Sequence, residues 1–181
     1  MNTIALVFFL SEVILLIFKR AGKKQTDNRD RNSMALLWTI ILVSIALAVS
    51  YTIMFPTAIP GKFLKLAATA TLIVGTVIRW TAIYQLKNAF TVDVAISKDQ
   101  KLKSDGLYRY LRHPSYTGLL LDFFGLSLFL NSAIAVVIIM IPVFLGLIYR
   151  VGIEEKALME AFGKEYEAHC ARTKRFIPFI Y

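Results

Sequence analysis

The chain carries one cysteine, Cys170, and two histidines among 181 residues. A lone thiol excludes an intrachain disulfide, and with so few imidazoles it argues against a structural zinc site. Charge is scarce too: 18% of residues are Asp, Glu, Lys or Arg, below the quarter or so expected of an ordinary soluble domain. Acidic residues are the scarcer sign, 12 against 21 Lys and Arg, for a net charge of +9. That excess does not form a nucleic-acid stripe. The cations sit in short segments between apolar runs, the pattern of membrane topology signals and anionic headgroup contacts. No internal repeat, low-complexity tract or second domain is evident, so residues 1–181 read as a single membrane domain.

What is abundant is apolar. Hydrophobic residues make up 57% of the chain and its mean hydropathy is +0.60, which predicts an all-α integral membrane protein with five spans. The first run, 3–18, ends at Lys19 and Arg20 without a small-x-small exit, and reads as a retained helix rather than a cleaved signal. Glu12 inside it must be protonated, paired or near an interface. A basic stretch, 19–32, reads as a solvated loop. A second run, 34–55, is long enough to cross a hydrocarbon core of about 30 Å, and Pro56, Pro60 and Gly61 stop it. The third, 63–86, holds Arg79 in its second half, from which a long side chain can snorkel to the next loop, while Trp80 and Tyr84 suit an interfacial belt. The fourth and fifth, 116–130 and 133–149, are joined at Asn131 and Ser132, so they must form an antiparallel hairpin. Residues 1–62 thus hold two N-terminal spans, and 63–181 the third span with a core built on the hairpin 116–149.

The basic residues orient this arrangement. The first loop, the third loop and the C-terminal tail each hold six Lys or Arg, the second loop has Lys62 and Lys65, and Arg79 lies inside a span. The positive-inside rule then places the N-terminus outside and the C-terminus in the cytoplasm. Beyond Arg150, Leu158, Phe162 and Tyr166 recur every four residues, predicting a short amphipathic helix at the membrane surface, broken or bent at Gly163, with Glu154 and Glu155 in its first turn where a helix dipole favours carboxylates. The last residues, 175–181, read as an interfacial anchor.

Against this background, residues 106–116, GLYRYLRHPSY, are conspicuous. Polar groups at the threshold of an apolar run are costly beside lipid unless they bind something. Pro114 suits the first turn of a helix, placing His113 at the junction of loop and span. The hairpin returns Arg150, Glu154 and Glu155 to the face that carries Tyr108, Arg112, His113 and Tyr116. Gly118 and Gly125, seven apart, give the fourth span a small-residue stripe where a helix or a lipidic chain can come close. Asp122, in the same span, fits a tunnel contact and a structural hydrogen bond equally well. Taken singly, these features also suit an interfacial cap, belt tyrosines and an ordinary i,i+4 ion pair between Arg150 and Glu154. Together they describe a site that takes a polar ligand from the cytosol and a greasy one from the bilayer.

Gly106 to Gly118, the following hairpin, Arg150, Glu154, Glu155 and residues 162–166 together resemble the isoprenylcysteine carboxyl methyltransferases, over roughly 88–178. The resemblance implies S-adenosylmethionine-dependent methylation of a prenylcysteine-like carboxylate within the membrane, without a Rossmann domain. It implies that Gln100, Lys101, Leu102, Lys103, Tyr108, His113, Pro114, Ser115, Tyr116 and Glu154 hold the cofactor. It makes Arg150 the group that meets the substrate, with Glu154 and Glu155 beside it in the catalytic set. Asp93 stands where relatives can carry an amide, and its contact with the cofactor stays open. The acceptor's identity also stays open: a phospholipid amine or a thiol would need a base, in the position of His113 or Glu155. Two further readings remain, a sterol-reductase-like enzyme using NADPH, because His113 to Gly118 also fits a motif there, and a non-enzymatic membrane scaffold. The sequence leaves the oligomeric state open.

Overall fold

Five α-helices and one 3₁₀ turn follow one another in a computed structural model that describes Leu10, Glu12 and residues 28–56, 62–86 and 101–176. Helix α1 is Asn28–Met54, α2 is Lys62–Leu86, α3 is Pro114–Leu128, α4 is Ala133–Phe162 and α5 is Lys164–Arg172, with the 3₁₀ turn at Gly106–Arg109. Among the described residues no strand forms, only an isolated parallel bridge between Leu111 and Lys174. The all-helical expectation holds. The first apolar run lies outside the described residues except for Leu10 and Glu12.

Three helices among the described residues are long and apolar enough to cross a membrane, over Asn32–Met54, Phe63–Leu86 and Ala133–Phe162. The second and third runs therefore form helices as expected, although α1 starts at Asn28, so residues 28–32 are helical rather than loop. The fourth run is shorter than a span: α3 has 15 residues, roughly 22 Å at 1.5 Å per residue against a core of about 30 Å. The fifth run and the part of the expected surface helix before Gly163 are one element, α4, of 30 residues, while Tyr166 lies beyond the break in α5. Nothing between Tyr149 and Glu154 can stop a helix, because a single Gly152 costs only about 1 kcal/mol. Glu154 and Glu155 consequently lie in the body of α4, not in a first turn. The break at Gly163 is present: its φ of 52° and ψ of −122° suit glycine alone, and its N–H still closes on the Met159 carbonyl at 2.9 Å.

Two pairings dominate, α2 along α3 and α1 along α4, with α4 also touching α3. The second buries aliphatic side chains in a common core of Leu37, Ile41, Ala48, Ile139, Val143, Leu147 and Val151. The first is a seam of glycines. A Cβ on Gly118 would stand 2.6 Å from the Arg79 nitrogen and the Gly75 carbonyl, and one on Gly125 would stand 2.9 Å from the Ala68 carbonyl. The small-residue stripe thus admits a helix, α2.

Polar groups tie the same seam. Thr76 Oγ1 donates to Asp122 Oδ1 at 2.9 Å, which makes Asp122, fully buried, a structural acceptor between helices. Arg79 does not snorkel: it is buried at 8% exposure, its Nη2 donates to Glu12 Oε2 at 2.7 Å, and its Nη1 donates to the Ser115 carbonyl at 3.1 Å. A guanidinium that finds a carboxylate and a helix-start carbonyl inside the protein gains nothing by reaching for water.

Candidate functional site

The hairpin turn is built locally. Asn131 adopts φ 55°, a left-handed conformation that asparagine tolerates better than most side chains, and Ser132 Oγ accepts from the Ala135 N–H at 3.4 Å as the cap of α4. At the other end, Pro114 occupies the first turn of α3 and His113 is its N-cap residue, with φ −127° and ψ 58°. The 3₁₀ turn is set on α2, because the Leu107 N–H donates to Gln85 Oε1 at 2.9 Å. It delivers Tyr108 inward, with the hydroxyl donating to the Ala82 carbonyl at a long 3.4 Å. Burial, with the Glu154 carboxylate adding to it, pushes the Tyr108 phenol well above its ordinary range, so it remains a neutral donor.

Folding α4 back along α3 does what the sequence required of it. Arg150 Nε donates to the Tyr116 hydroxyl at 3.2 Å, and its Nη1 donates to Ser33 Oγ on α1 at 2.7 Å. One turn on, Glu154 Oε1 lies 3.7 Å from His113 Nδ1, and Glu155 Oε1 lies 3.5 Å from His113 Nε2. The imidazole is 3% exposed, stacks on Tyr116 with ring centroids 5.8 Å apart, and its Nε2 makes no hydrogen bond among the described residues. Arg150 is also almost fully buried, at 1%. The side chains of Tyr108, His113, Tyr116, Arg150 and Glu154 therefore share one end of the α3–α4 hairpin, and Pro114 and Ser115 are buried beside them.

The rest of the expected set is not gathered so plainly. Gln100, like Asp93, lies outside the described residues. Lys101 is exposed and Leu102 and Lys103 are half-buried, and Lys103 Nζ pairs with its neighbour Asp105 at 2.7 Å. Glu155 differs from Glu154. Its carboxylate accepts from Arg112 Nε at 2.8 Å and from Arg175 Nη2 at 2.6 Å, so both oxygens are engaged.

Arg175 and its neighbours are what the sequence reading missed. The stretch expected to anchor in the interface instead lies against the site, at least through Phe176, which is 1% exposed; residues 177–181 lie outside the described residues. The available signal was electrostatic: Glu155 lies next to Glu154 in an apolar setting and needs cations, and Arg175 is one of the six in the tail.

Comparison with known proteins follows the same residues. Residues 66–160 match the isoprenylcysteine carboxyl methyltransferase family. The chain is 27% identical over 180 residues to protein-S-isoprenylcysteine O-methyltransferase B of Arabidopsis thaliana, covering 98% of this chain and 91% of that one. It is 31% identical over 130 residues to a probable protein-S-isoprenylcysteine O-methyltransferase of Oryza sativa subsp. indica, covering 71% and 68%. The solved structure of a eukaryotic intramembrane Ras methyltransferase, an isoprenylcysteine carboxyl methyltransferase, superposes with a TM-score of 0.68 at 29% identity over 79% of this chain. This chain spans about half of that one, 52%. Three long apolar helices and these likenesses make it an integral membrane protein. With a matched stretch that runs from α2 through the hairpin to Glu160 and takes in Arg112, His113, Arg150, Glu154 and Glu155, the chain belongs to the isoprenylcysteine carboxyl methyltransferase family.

Proposed function

We propose that this chain methylates the carboxylate of a prenylcysteine-like lipophilic acceptor at the cytosolic face of the membrane, using S-adenosylmethionine. One observation carries the reading: Arg150 and Glu154 arrive from α4 at the imidazole and phenols that precede and open α3. The residues present fit the cofactor. The buried His113 ring, two phenols and the part-exposed Glu154 carboxylate beside them offer the aromatic surfaces and negative charge that such a cation requires. Tyr108, His113, Pro114, Ser115, Tyr116 and Glu154 would hold it, joined by the stretch 100–103.

When bound, S-adenosylmethionine supplies a methyl group activated on a sulfonium. The protein's task is then alignment. An α-carboxylate has an ordinary pKa of about 3.3–3.7, so the acceptor is already ionised at cytosolic pH and needs no general base. Arg150 presents a planar, permanently charged fork suited to a carboxylate. In this reading an entering acceptor exchanges with the Ser33 or Tyr116 hydroxyl at that guanidinium. Pairing that is too strong would hold the ground state, since charge is lost as the methyl moves, so Arg150 orients more than it activates. Buried surroundings favour the same loss of charge.

The finer architecture belongs to this proposal: one domain, five crossings, the N-terminus outside and the site with the C-terminus in the cytosol. The short α3 crosses with the aid of the turn after it and of local bilayer thinning.

The test is methyl transfer from labelled S-adenosylmethionine to N-acetyl-farnesylcysteine, phosphatidylethanolamine and small thiols, using detergent-purified protein. Label should enter only the farnesylcysteine, as a base-labile ester. Arg150→Ala should lower kcat/KM for that acceptor about 100-fold, near 2.7 kcal/mol, while S-adenosylhomocysteine binding changes less than about twofold. Label on the amine or thiol, or NADPH binding in place of S-adenosylhomocysteine, would defeat the reading.

A further inference from the structure

The segment after α5 is joined along its described length to the loop before α3 and to the first turn of α3. The Arg112 N–H donates to the Lys174 carbonyl at 2.7 Å, the Lys174 N–H to the Tyr110 carbonyl at 3.2 Å, and the His113 N–H to the Arg175 carbonyl at 3.2 Å. Thr117 Oγ1 donates to the Phe176 carbonyl at 2.7 Å. Side chains lock the same join. Arg112 Nη1 donates to the Thr173 carbonyl at 2.6 Å and the Cys170 carbonyl at 3.2 Å, while its Nε shares Glu155 with Arg175. The Phe176 ring reaches both His113, at 6.4 Å between centroids, and Phe144 on α4, at 6.0 Å.

His113 is the residue this join controls. As an N-cap its carbonyl accepts from the Tyr116 and Thr117 N–H groups at 3.0 and 3.1 Å, but its own N–H has no partner within the helix and its imidazole makes no side-chain cap bond. Its N–H is held by Arg175, one ring face by Tyr116, another flank by Phe176, and its Nε2 side by Glu155. Two of those four supports come from the C-terminal segment, and a third is the carboxylate that clips that segment in place.

We propose that residues 173–176 form a wall of the cofactor site, and that Glu155 and Arg175 are positioning residues that act on the cofactor through His113. The inference rests on the methyl-transfer reading above and deepens it. Glu155 touches no reacting atom in this scheme. It is the knot between α4, the loop before α3 and the C-terminal segment, with two guanidiniums satisfying one half-buried carboxylate.

The experiment is a titration of S-adenosylhomocysteine onto the full-length purified chain, with melting temperature and the acceptor KM at saturating cofactor measured alongside. Arg175→Ala and Glu155→Gln should each weaken S-adenosylhomocysteine about tenfold while the acceptor KM moves less than about twofold, and Arg175→Lys should recover most of the loss. Two milder variants serve if those fail to fold. Phe176→Leu keeps the apolar volume and loses the ring contact, and Thr117→Val deletes the hydroxyl bond; each should weaken binding about threefold without lowering the melting temperature in step. Wild-type protein that binds, with variants that bind equally well or lose cofactor and acceptor affinity only in proportion to lost folding, overturns the positioning role alone. Wild-type protein that binds no S-adenosylhomocysteine overturns the methyl-transfer reading and this inference with it.

Discussion

The two helix pairings of the bundle are specified in different ways. Helices α1 and α4 meet through the ends of aliphatic side chains: a Cβ on Gly146 would stand 3.1 Å from Leu37 Cδ1 and 3.2 Å from Ile40 Cδ1. Helices α2 and α3 meet backbone to backbone at Gly75, Gly118 and Gly125, with Thr76, Asp122 and Arg79 making polar contacts there. Side-chain ends can rotate to absorb a misfit; backbones cannot. The exact pairing is the one that places the start of α3, where His113, Ser115 and Tyr116 stand. In the looser pairing α1 itself brings the Ser33 hydroxyl to the site, on Arg150 of α4.

The largest effect should come from Arg79→Ala. It strands Glu12, which is 4% exposed, and removing one partner of a buried pair costs about 3–5 kcal/mol. The folded fraction surviving heat in detergent measures it. Replacing both, Glu12→Leu with Arg79→Met, should recover most of the stability, because the pair can be exchanged for apolar packing at little net cost. A single variant as stable as wild type would remove the polar half of the contrast.

Next is Gly118→Ala. The added methyl meets the Arg79 nitrogen and the Gly75 carbonyl at 2.6 Å, so α3 must move away from α2, at a cost of about 1–3 kcal/mol. Because that movement carries Tyr116 with it, S-adenosylhomocysteine binding should fall together with stability in the same titration series.

Local chemistry made part of this legible. Pro114, the turn at Asn131 and Ser132, and the break at Gly163 each announce themselves through a backbone preference that neighbours do not override. The convergence of Arg150 and Glu154 on Tyr116 and His113 followed from that turn alone. Where the reading cut α4 in two, it took a change of surroundings for a change of conformation: the residues become charged after Tyr149, but the backbone stays helical through Phe162. Long-range ion pairs were out of reach. Glu12 and Arg79 are 67 residues apart, and a hydropathy pattern gives each a depth but not a facing partner. Glu155 and Arg175 were hidden for the same reason, since the tail had to be seen folding back before its arginine could be paired.

The smallest effect should be Gly146→Ala, and it is the sharpest test of the contrast. The position is buried in the middle of α4, so counting neighbours would rank it with Gly118. The neighbours differ in kind. Both atoms nearest the new methyl are terminal carbons, of Leu37 and Ile40, which can turn by a rotamer at a cost of about 1 kcal/mol or less. Replacing glycine by alanine within a helix returns up to about 1 kcal/mol through propensity. The two nearly cancel, so the melting temperature should stay within a few degrees of wild type and S-adenosylhomocysteine affinity should be unchanged. A loss as large as that of Gly118→Ala would mean that α1 and α4 are as exactly matched as α2 and α3, and that the site depends equally on both pairings.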